Sequence, residues 1–255
     1  MTKILKKLLK ENRPLFGTFQ QILNPMSTEV LAHTGLDFLI LDLEHTGRTM
    51  ESAIPCLLAA AALDIPMIVR PMDRNPSLIE QALDAGAQGV LVPTIETVEQ
   101  CEIAVKAAKY APEGNRGFCP VYPARRWVKD QDMTTFTTEV NEKVFVSILI
   151  ETPLGFENLP DILKVEGVDA VMLGLADFSK TLGKDTWDPE VAEIANRANE
   201  QILASGKLCM PLVTRNNVME SYNLGNRLMC IYWSDAGSID NYISSEVAAL
   251  NDAVK

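Results

Sequence analysis

Short apolar runs recur along this chain at intervals that suit one strand followed by one helix. The runs are continuous rather than alternating in polarity, which is typical of strands buried on both faces of a parallel sheet. Eight such runs predict eight strands: Gly17–Gln20, Phe38–Asp42, Met67–Arg70, Gly89–Val92, Val144–Ile150, Ala170–Gly174, Leu208–Val213 and Arg227–Tyr232.

Segments with helical spacing lie between these runs. Asn75-Pro76-Ser77 and Asp188-Pro189-Glu190 each place a capping side chain before a proline, which is a common way for a helix to begin. Helical spacing also marks Thr97 to Lys109 and Ile239 to Val254. Eight strand–helix alternations without a break in composition predict an α/β fold, a single (β/α)8 TIM barrel over residues 1–255. Such barrels typically contain about 250 residues.

One stretch interrupts the alternation. Residues Ala111 to Thr138 are rich in proline, glycine, arginine and tryptophan and are too long for an ordinary connection. We expect such an excursion to lie at the functional face of a barrel. Its arginines, Arg116, Arg125 and Arg126, would either bind a carboxylated or hydroxylated ligand or stack on aromatic rings at a contact between subunits.

The composition excludes several classes of partner. The net charge of -11, without a basic stripe, argues against nucleic acid binding. The longest apolar stretch, Ile54 to Leu63, is too short to span a bilayer, so we expect no membrane partner. The five cysteines are scattered and form no C-x-x-C pair, and most lie in apolar stretches, which indicates buried free thiols in a reducing, cytoplasmic environment.

Charged side chains follow the predicted strands at the end where a barrel gathers its active site. Glu151 and Asp177 follow two consecutive strands, and neighbouring strands lie about 4.8 Å apart. Two carboxylates there could therefore share one divalent cation, with Mg²⁺ or Mn²⁺ favoured by oxygen ligands and open positions. The alternative is a pair of solvated acids with no ligand.

A histidine and an arginine end two further strands. His45, one of two histidines, follows Asp42 and Glu44, and an imidazole beside a carboxylate is a good general base. Arg70 could stabilise an oxyanion, pair with a neighbouring acid, or do both. With a carboxylate-bound metal, these groups suit enolate formation from a 2-oxo acid that the metal chelates.

Six motifs follow one another along the chain: Leu41-Asp42-Leu43-Glu44-His45, Val69-Arg70-Pro71, Gly89-Val90-Leu91-Val92-Pro93, Pro112-Glu113-Gly114-Asn115-Arg116-Gly117, Ile150-Glu151-Thr152 and Gly174-Leu175-Ala176-Asp177-Phe178-Ser179. In this order they resemble the HpcH/HpaI aldolase and citrate lyase family, specifically its metal-dependent class II pyruvate aldolases. The resemblance runs from about Pro14 to Leu250. It implies reversible aldol cleavage of a 4-hydroxy-2-oxo acid to pyruvate, or a similar 2-oxo acid, and an aldehyde. The enolate would be held by Mg²⁺ or Mn²⁺, with Co²⁺ as a further option.

The resemblance also implies catalytic roles by position. His45 matches the proton-transferring base, and Asp84 matches the acid that raises the basicity of this histidine. Asp42 is a second acid that could support the histidine. Arg70 matches the group that stabilises the transition state.

Binding roles follow in the same way. Glu151 and Asp177 match the metal ligands. In the turn Gly174-Leu175-Ala176, the backbone amide of Ala176 matches the group that receives the substrate carboxylate. Arg116 is a further candidate for substrate binding. Family members exchange a C-terminal helix and commonly form hexamers, so the resemblance implies that Ile239 to Val254 packs on a neighbouring copy.

Three positions depart from the family pattern. Leu149 stands where relatives commonly carry a glutamine that contacts the oxo acid, and Leu175 replaces a proline. Trp233 is bulkier than the usual end of the last strand, where it would narrow the mouth or fill the core. Two alternatives stay open: a related lyase acting on acyl-CoA thioesters or oxaloacetate, and a barrel that binds a metabolite without turnover.

Overall fold

The computed structural model describes residues 3–119 and 132–254. Its strands are β1 (Leu15–Gln20), β2 (Phe38–Asp42), β3 (Met67–Arg70), β4 (Gly89–Val92), β5 (Phe145–Ile150), β6 (Ala170–Leu173), β7 (Leu208–Cys209), β8 (Leu212–Val213) and β9 (Leu228–Ile231). They form one parallel sheet in the order β7-β6-β5-β4-β3-β2-β1-β9-β8. Since β7 and β8 are consecutive in the chain, the sheet curls round and its two ends meet. The TIM-barrel prediction is confirmed.

The seventh predicted strand, Leu208–Val213, is divided in two. Its first half, β7, pairs with β6, and its second half, β8, pairs with β9. Pro211 lies at the division and has no amide hydrogen to donate to a ladder. The Met210 amide donates to Val171 on one side, whereas the Pro211 carbonyl accepts from Cys230 on the other. The two halves therefore close the ring together.

Helices follow the strands and cover the outside of the sheet. Those among the described residues are α1 (Leu5–Leu8), α2 (Pro25–Ala32), α3 (Met50–Ala62), α4 (Pro76–Asp84), α5 (Val98–Ala108), α6 (Met133–Lys143), α7 (Pro153–Ile162), α8 (Leu175–Thr181), α9 (Pro189–Ala204), α10 (Val218–Asn223) and α11 (Asp235–Ala253). The predicted helix starts are confirmed, because Asn75 and Asp188 cap α4 and α9 with their side chains.

The predicted loop Ala111 to Thr138 is wrong at its C-terminal end, because α6 begins at Met133. The Asp132 side chain caps this helix by accepting hydrogen bonds from the backbone and hydroxyl of Thr135. Threonines dominate the first turns, and their weak helix propensity conceals the helix in the sequence. Arg125 and Arg126 lie outside the described residues.

The strands point alternate side chains into the barrel and towards the helices. On β2, Ile40 packs in the barrel interior, whereas Leu39 and Leu41 pack under the helices. A two-residue step along a strand therefore leads from an apolar interior side chain to a charged one at the mouth. Three strands make this step: Ile40 to Asp42, Ile68 to Arg70 and Leu149 to Glu151.

The last helix, α11, packs little of its surface against the rest of the chain. Of its residues, only Asp235 is buried. One set of large apolar side chains on it is more than half exposed: Ile239, Tyr242, Ile243, Val247 and Leu250. Within residues 3–119 and 132–254, no helix is both long and apolar enough to cross a membrane.

Candidate active site

A buried ion pair joins the ends of β2 and β3. The strand register places Asp42 directly opposite Arg70. The Arg70 guanidinium donates from Nε and Nη2 to the two Asp42 carboxylate oxygens, at 2.9 and 2.8 Å. Its third nitrogen, Nη1, lies 3.1 Å from Glu44 Oε2, and its carbon lies 4.7 Å from the centre of the Phe19 ring. Two parallel hydrogen bonds and an aromatic contact thus fix the guanidinium at the mouth.

The two acids beside Arg70 differ in electrostatic state. Burial alone would raise the pKa of Asp42, but the hydrogen bonds and charge of Arg70 hold that pKa below its usual value. Burial raises the pKa of Glu44, although the Arg70 charge opposes the shift. Glu44 Oε2 is within ion-pair distance of Arg70 but makes no aligned hydrogen bond. Asp42 is therefore a fixed anion, and Glu44 is the acid better suited to exchange a proton.

His45 lies at the same mouth with an open side chain. Its imidazole is 54% exposed, and Nε2 lies 3.5 Å from Glu44 Oε2. The acid beside this histidine in its own chain is therefore Glu44. His33 is exposed at the end of α2, away from the strand ends.

The structure does not bring Asp84 and Arg116 to this mouth. Asp84 is the last residue of α4, so it lies at the end of the barrel where strands begin. The Arg116 amide is bonded to the Lys109 carbonyl just after α5, at the same end. The guanidinium of Arg116 is almost fully buried and donates twice to the Asp84 carboxylate. Within one chain, Asp84 and Arg116 therefore pair with each other away from His45, and the roles expected for them stay predictions.

Glu151 follows β5 and is held tightly from both sides. Thr94 donates to Glu151 Oε1 from its backbone N–H at 2.8 Å and from its hydroxyl at 2.7 Å. Thr94 has a φ of +52°, which a β-branched residue rarely adopts. On the other side, a Cβ at Gly174 would lie 2.5 Å from the Cβ of Glu151. The strained threonine and the glycine together fix the direction of this carboxylate.

The electrostatics of Glu151 favour a cation. Burial raises its pKa above the usual range, and the negative charge of Asp177 adds to the shift, while the Thr94 hydrogen bonds oppose it. Asp177 is exposed in the first turn of α8. The part of the chain that the structure describes holds no cluster of three or more His, Cys, Asp or Glu side chains arranged for a metal. Two carboxylates alone suit a Mg²⁺-type ion that keeps positions for water and substrate oxygens.

The turn into α8 presents backbone amides at the mouth. The first helical hydrogen bond runs from the Phe178 N–H to the Gly174 carbonyl, so the amides of Leu175, Ala176 and Asp177 precede it. Amides at a helix start bind anions such as a carboxylate. The Ala176 amide is one of these three, and its role in binding the substrate carboxylate stays a prediction.

Two of the unusual positions have clear surroundings. Leu149 is buried in the apolar barrel interior, one inward step below Glu151. Trp233 is about half exposed and contacts Tyr232 edge-on at 4.9 Å, so it is a rim residue rather than part of the core. The floor of the site is therefore apolar where relatives were expected to offer an amide.

Comparison with known proteins identifies the family of this chain. The model of the HpcH/HpaI aldolase/citrate lyase family matches residues 15–213. The chain belongs to this family. A 4-hydroxy-2-oxo-heptane-1,7-dioate aldolase of Klebsiella pneumoniae is 34% identical over 225 residues, which are 87% of this chain and 84% of that protein. A hydroxypyruvate/pyruvate aldolase of Deinococcus radiodurans is 35% identical over 210 residues, covering 81% of this chain and 75% of that protein.

A solved structure of the citrate synthase SbnG is also similar to this HpcH/HpaI family member. It superposes with a TM-score of 0.90 at 29% identity and covers 98% of both chains. The family match and the aldolase relatives show that this chain is a lyase of the aldolase type.

Sequence reasoning missed two polar residues of this family member's site. Thr94 comes directly after Val92-Pro93, and Gln21 comes directly after β1. The Gln21 amide donates to Asp42 Oδ2 at 3.1 Å and accepts from the Ser234 hydroxyl at 2.8 Å. The strand-end rule that found the charged residues would have found both, had it been extended to neutral side chains.

Proposed function

We propose that this chain catalyses the metal-dependent, reversible aldol cleavage of a 4-hydroxy-2-oxo acid to pyruvate, or a similar 2-oxo acid, and an aldehyde. The observation that carries the proposal is the pairing of two sets of charges at one barrel mouth. The first set is a pair of acids, of which Glu151 is buried and Asp177 is exposed. The second is Arg70, which Asp42 fixes beside them. The names of the aldolase relatives support the choice of a 2-oxo acid.

Glu151 and Asp177 would hold a divalent cation, which we propose to be Mg²⁺ or Mn²⁺, with Co²⁺ also compatible. The donor set fits such a cation, because both side chains are carboxylates. Thr94 fixes the Glu151 carboxylate by donating two hydrogen bonds to Oε1, and the same carboxylate packs against Gly174 beside Asp177. When bound, such a cation supplies Lewis-acid stabilisation of the enolate charge.

Groups of the protein itself orient the substrate and stabilise its developing charge. The amides of Leu175 and Ala176 orient the carboxylate of the oxo acid. The fixed Arg70 guanidinium offers positive charge to the oxyanion that develops during carbon–carbon cleavage. Asp42 positions Arg70 and stays ionised throughout.

His45 moves the proton of the aldol hydroxyl group. Its exposed imidazole is free to approach a substrate at the mouth, and Glu44 lies close enough to stabilise the imidazolium that forms. The acid that we propose to assist His45 within the same chain is thus Glu44 rather than Asp84.

Hydrogen exchange of pyruvate tests the proposal without knowledge of the aldehyde. The purified protein is incubated with pyruvate in D₂O, with and without Mn²⁺ or Mg²⁺, and methyl deuteration is followed by NMR. We expect metal-dependent exchange. A protein that binds Mn²⁺ but shows no exchange would exclude this aldolase activity and leave metabolite binding without turnover.

A second candidate is condensation of an acyl-CoA with a 2-oxo acid, which the likeness to the citrate synthase SbnG favours. Incubation with acetyl-CoA and oxaloacetate distinguishes it, because that reaction releases a free thiol that a colorimetric reagent detects. We expect thiol release at the background rate and exchange with pyruvate well above it.

Thr94 offers a prediction about how the metal site is held. Thr94→Val keeps the shape and the backbone donor but removes the hydroxyl that donates to Glu151. Losing a partner that orients a ligand typically costs about 10- to 100-fold in metal affinity, and we expect a loss in that range for Mn²⁺. Electron paramagnetic resonance of free Mn²⁺ measures the affinity. Thr94→Ser keeps a hydroxyl and should bind like wild type; equal affinity of all three proteins would contradict the assignment.

We also propose that residues 1–255 form one cytoplasmic barrel that assembles as a homo-oligomer, a hexamer by family resemblance, with α11 exchanged onto a neighbouring copy. The exposed apolar side chains of α11 support assembly through this helix. The buried free thiols support a cytoplasmic location. Val247→Asp and Leu250→Asp place charges on that helix and should lower the mass measured by light scattering. Glu246→Lys on the same helix is the matched control, and an unchanged mass in the aspartate variants would argue against packing through α11.

A further inference from the structure

A cavity of about 320 Å³ lies behind the barrel wall, next to the divided seventh strand. It is lined by residues of α9 and α10 and by the chain around Pro211. Its lining includes Leu175 and Ala176, the turn that we propose binds the substrate carboxylate. The cavity therefore shares the turn Leu175-Ala176 with the proposed active site, and its volume is in the size range of ligand pockets.

Two buried amide side chains on the wall of this cavity have polar atoms without a hydrogen-bond partner. Asn199 is 6% exposed, and neither its amide nitrogen nor its carbonyl oxygen makes a hydrogen bond. Asn226 is 2% exposed, and its carbonyl oxygen is likewise without a partner. Buried polar groups in native proteins are nearly always bonded, and leaving them unpaired is costly. Asn199 and Asn226 thus offer both a donor and acceptors to a bound group.

The charge of the lining limits what that group is. The cavity lining, all from described residues, includes no lysine or arginine, and its single acid, Glu220, is exposed. A buried carboxylate or phosphate would therefore stay unpaired there. Apolar and aromatic side chains supply the rest of the surface, including Trp187 and Tyr232 at a ring distance of 5.6 Å. The site suits an uncharged chain with an apolar body and an amide or hydroxyl group.

We propose that this cavity binds the chain of the aldehyde partner, and that this chain is uncharged and carries an amide or hydroxyl group. The inference rests on the proposed aldol reaction, because it extends the substrate from the same mouth. It separates this protein from the relative named for a heptane-1,7-dioate, whose product aldehyde retains a carboxylate. It also gives a role to Leu175, which lines the cavity at the position where a proline was expected.

Two isosteric aldehydes, 6-oxohexanamide and 6-oxohexanoate, test the inference in aldol addition with pyruvate. We expect kcat/KM to favour the amide by about tenfold or more, as for one buried hydrogen-bonding group. Asn199→Leu should remove this preference and leave metal-dependent deuteration of pyruvate unchanged. A wild-type preference for the carboxylate, or a preference retained in Asn199→Leu, would overturn the proposal.

Binding of hexanamide and hexanoate gives a readout that does not need turnover. Titration of the full-length protein, followed by NMR or calorimetry, should show binding of hexanamide over hexanoate, weakened about tenfold in Asn199→Leu and in the cavity-filling Ala195→Met. Absence of hexanamide binding overturns the inference even if pyruvate exchange is normal. Hexanamide binding in a protein that exchanges no pyruvate would instead overturn the aldol reaction and the substrate role of the cavity together.

Discussion

Glu151→Gln is expected to reduce metal-dependent deuteration of pyruvate about a thousandfold or more. Glutamine keeps the size of the side chain and an oxygen that accepts from Thr94, but it removes the charge that would hold the cation. The loss of several kcal/mol of Lewis-acid stabilisation corresponds to about this factor. The fold should be retained, since burial already raises the pKa of this acid and a neutral group is easier to bury there.

The measurement pairs pyruvate exchange with Mn²⁺ titration and thermal unfolding. Asp177→Asn should behave like Glu151→Gln, and Glu157→Gln, which changes an exposed acid on α7, should behave like wild type. Exchange at the wild-type rate in Glu151→Gln with bound Mn²⁺ would show that the cation is held elsewhere.

Arg70→Met is expected to lower both activity and stability. It leaves Asp42 buried without its bidentate partner, and breaking a buried ion pair in this way typically costs about 3–5 kcal/mol of unfolding free energy. It also removes the positive charge at the developing oxyanion, for which we expect a loss of about 10²- to 10³-fold in kcat.

The double variant Arg70→Met/Asp42→Asn separates the two effects. It removes the unpaired charge, so it should recover much of the stability while activity stays low. Recovery of activity with stability would show that Arg70 acts only by supporting the fold.

The stability difference between wild type and Arg70→Met should depend on pH. Arg70 holds the pKa of Asp42 below its usual value in the folded protein. The ion pair therefore stabilises the fold fully above the pKa that Asp42 has in the unfolded chain, and this stabilisation is lost as the pH falls through the lower pKa of folded Asp42. In Arg70→Met, burial without a partner raises that pKa instead. The gap in unfolding free energy should therefore narrow as the pH is lowered, and a constant gap in denaturant titrations at several pH values would contradict this account.

Much of the site could be predicted because the strands are apolar and continuous. Once a run such as Phe38 to Asp42 is a buried parallel strand, its last inward side chain must lie at the mouth of the barrel. The same reasoning, carried further, would have placed Asp84 at the opposite end, since it ends the helix that returns from the mouth. The motif around Asp84 carries no information about the end of the barrel at which this residue lies, and the role of Asp84 stays a prediction.

Other features depend on packing that no short pattern records. The left-handed backbone of Thr94 accompanies its two hydrogen bonds to Glu151, fifty-seven residues later. Asn199 lies on α9, where the helical spacing predicts that it is buried but does not show that its amide lacks a hydrogen-bond partner. The division of the seventh strand was visible as Pro211, although the apolar run around it concealed the break.

The break at Pro211 divides the ring into two unequal parts, to which we propose separate tasks. The groups proposed for enolate chemistry lie on or just after β2 to β6, whose ladders are continuous. The unpaired amides and the cavity lie beside β7 and β8, which are joined through the interruption. On these proposals, we expect substitutions around this seam to change which partner is accepted without moving the residues proposed to make the enolate, so that one reaction is kept while its substrates diversify.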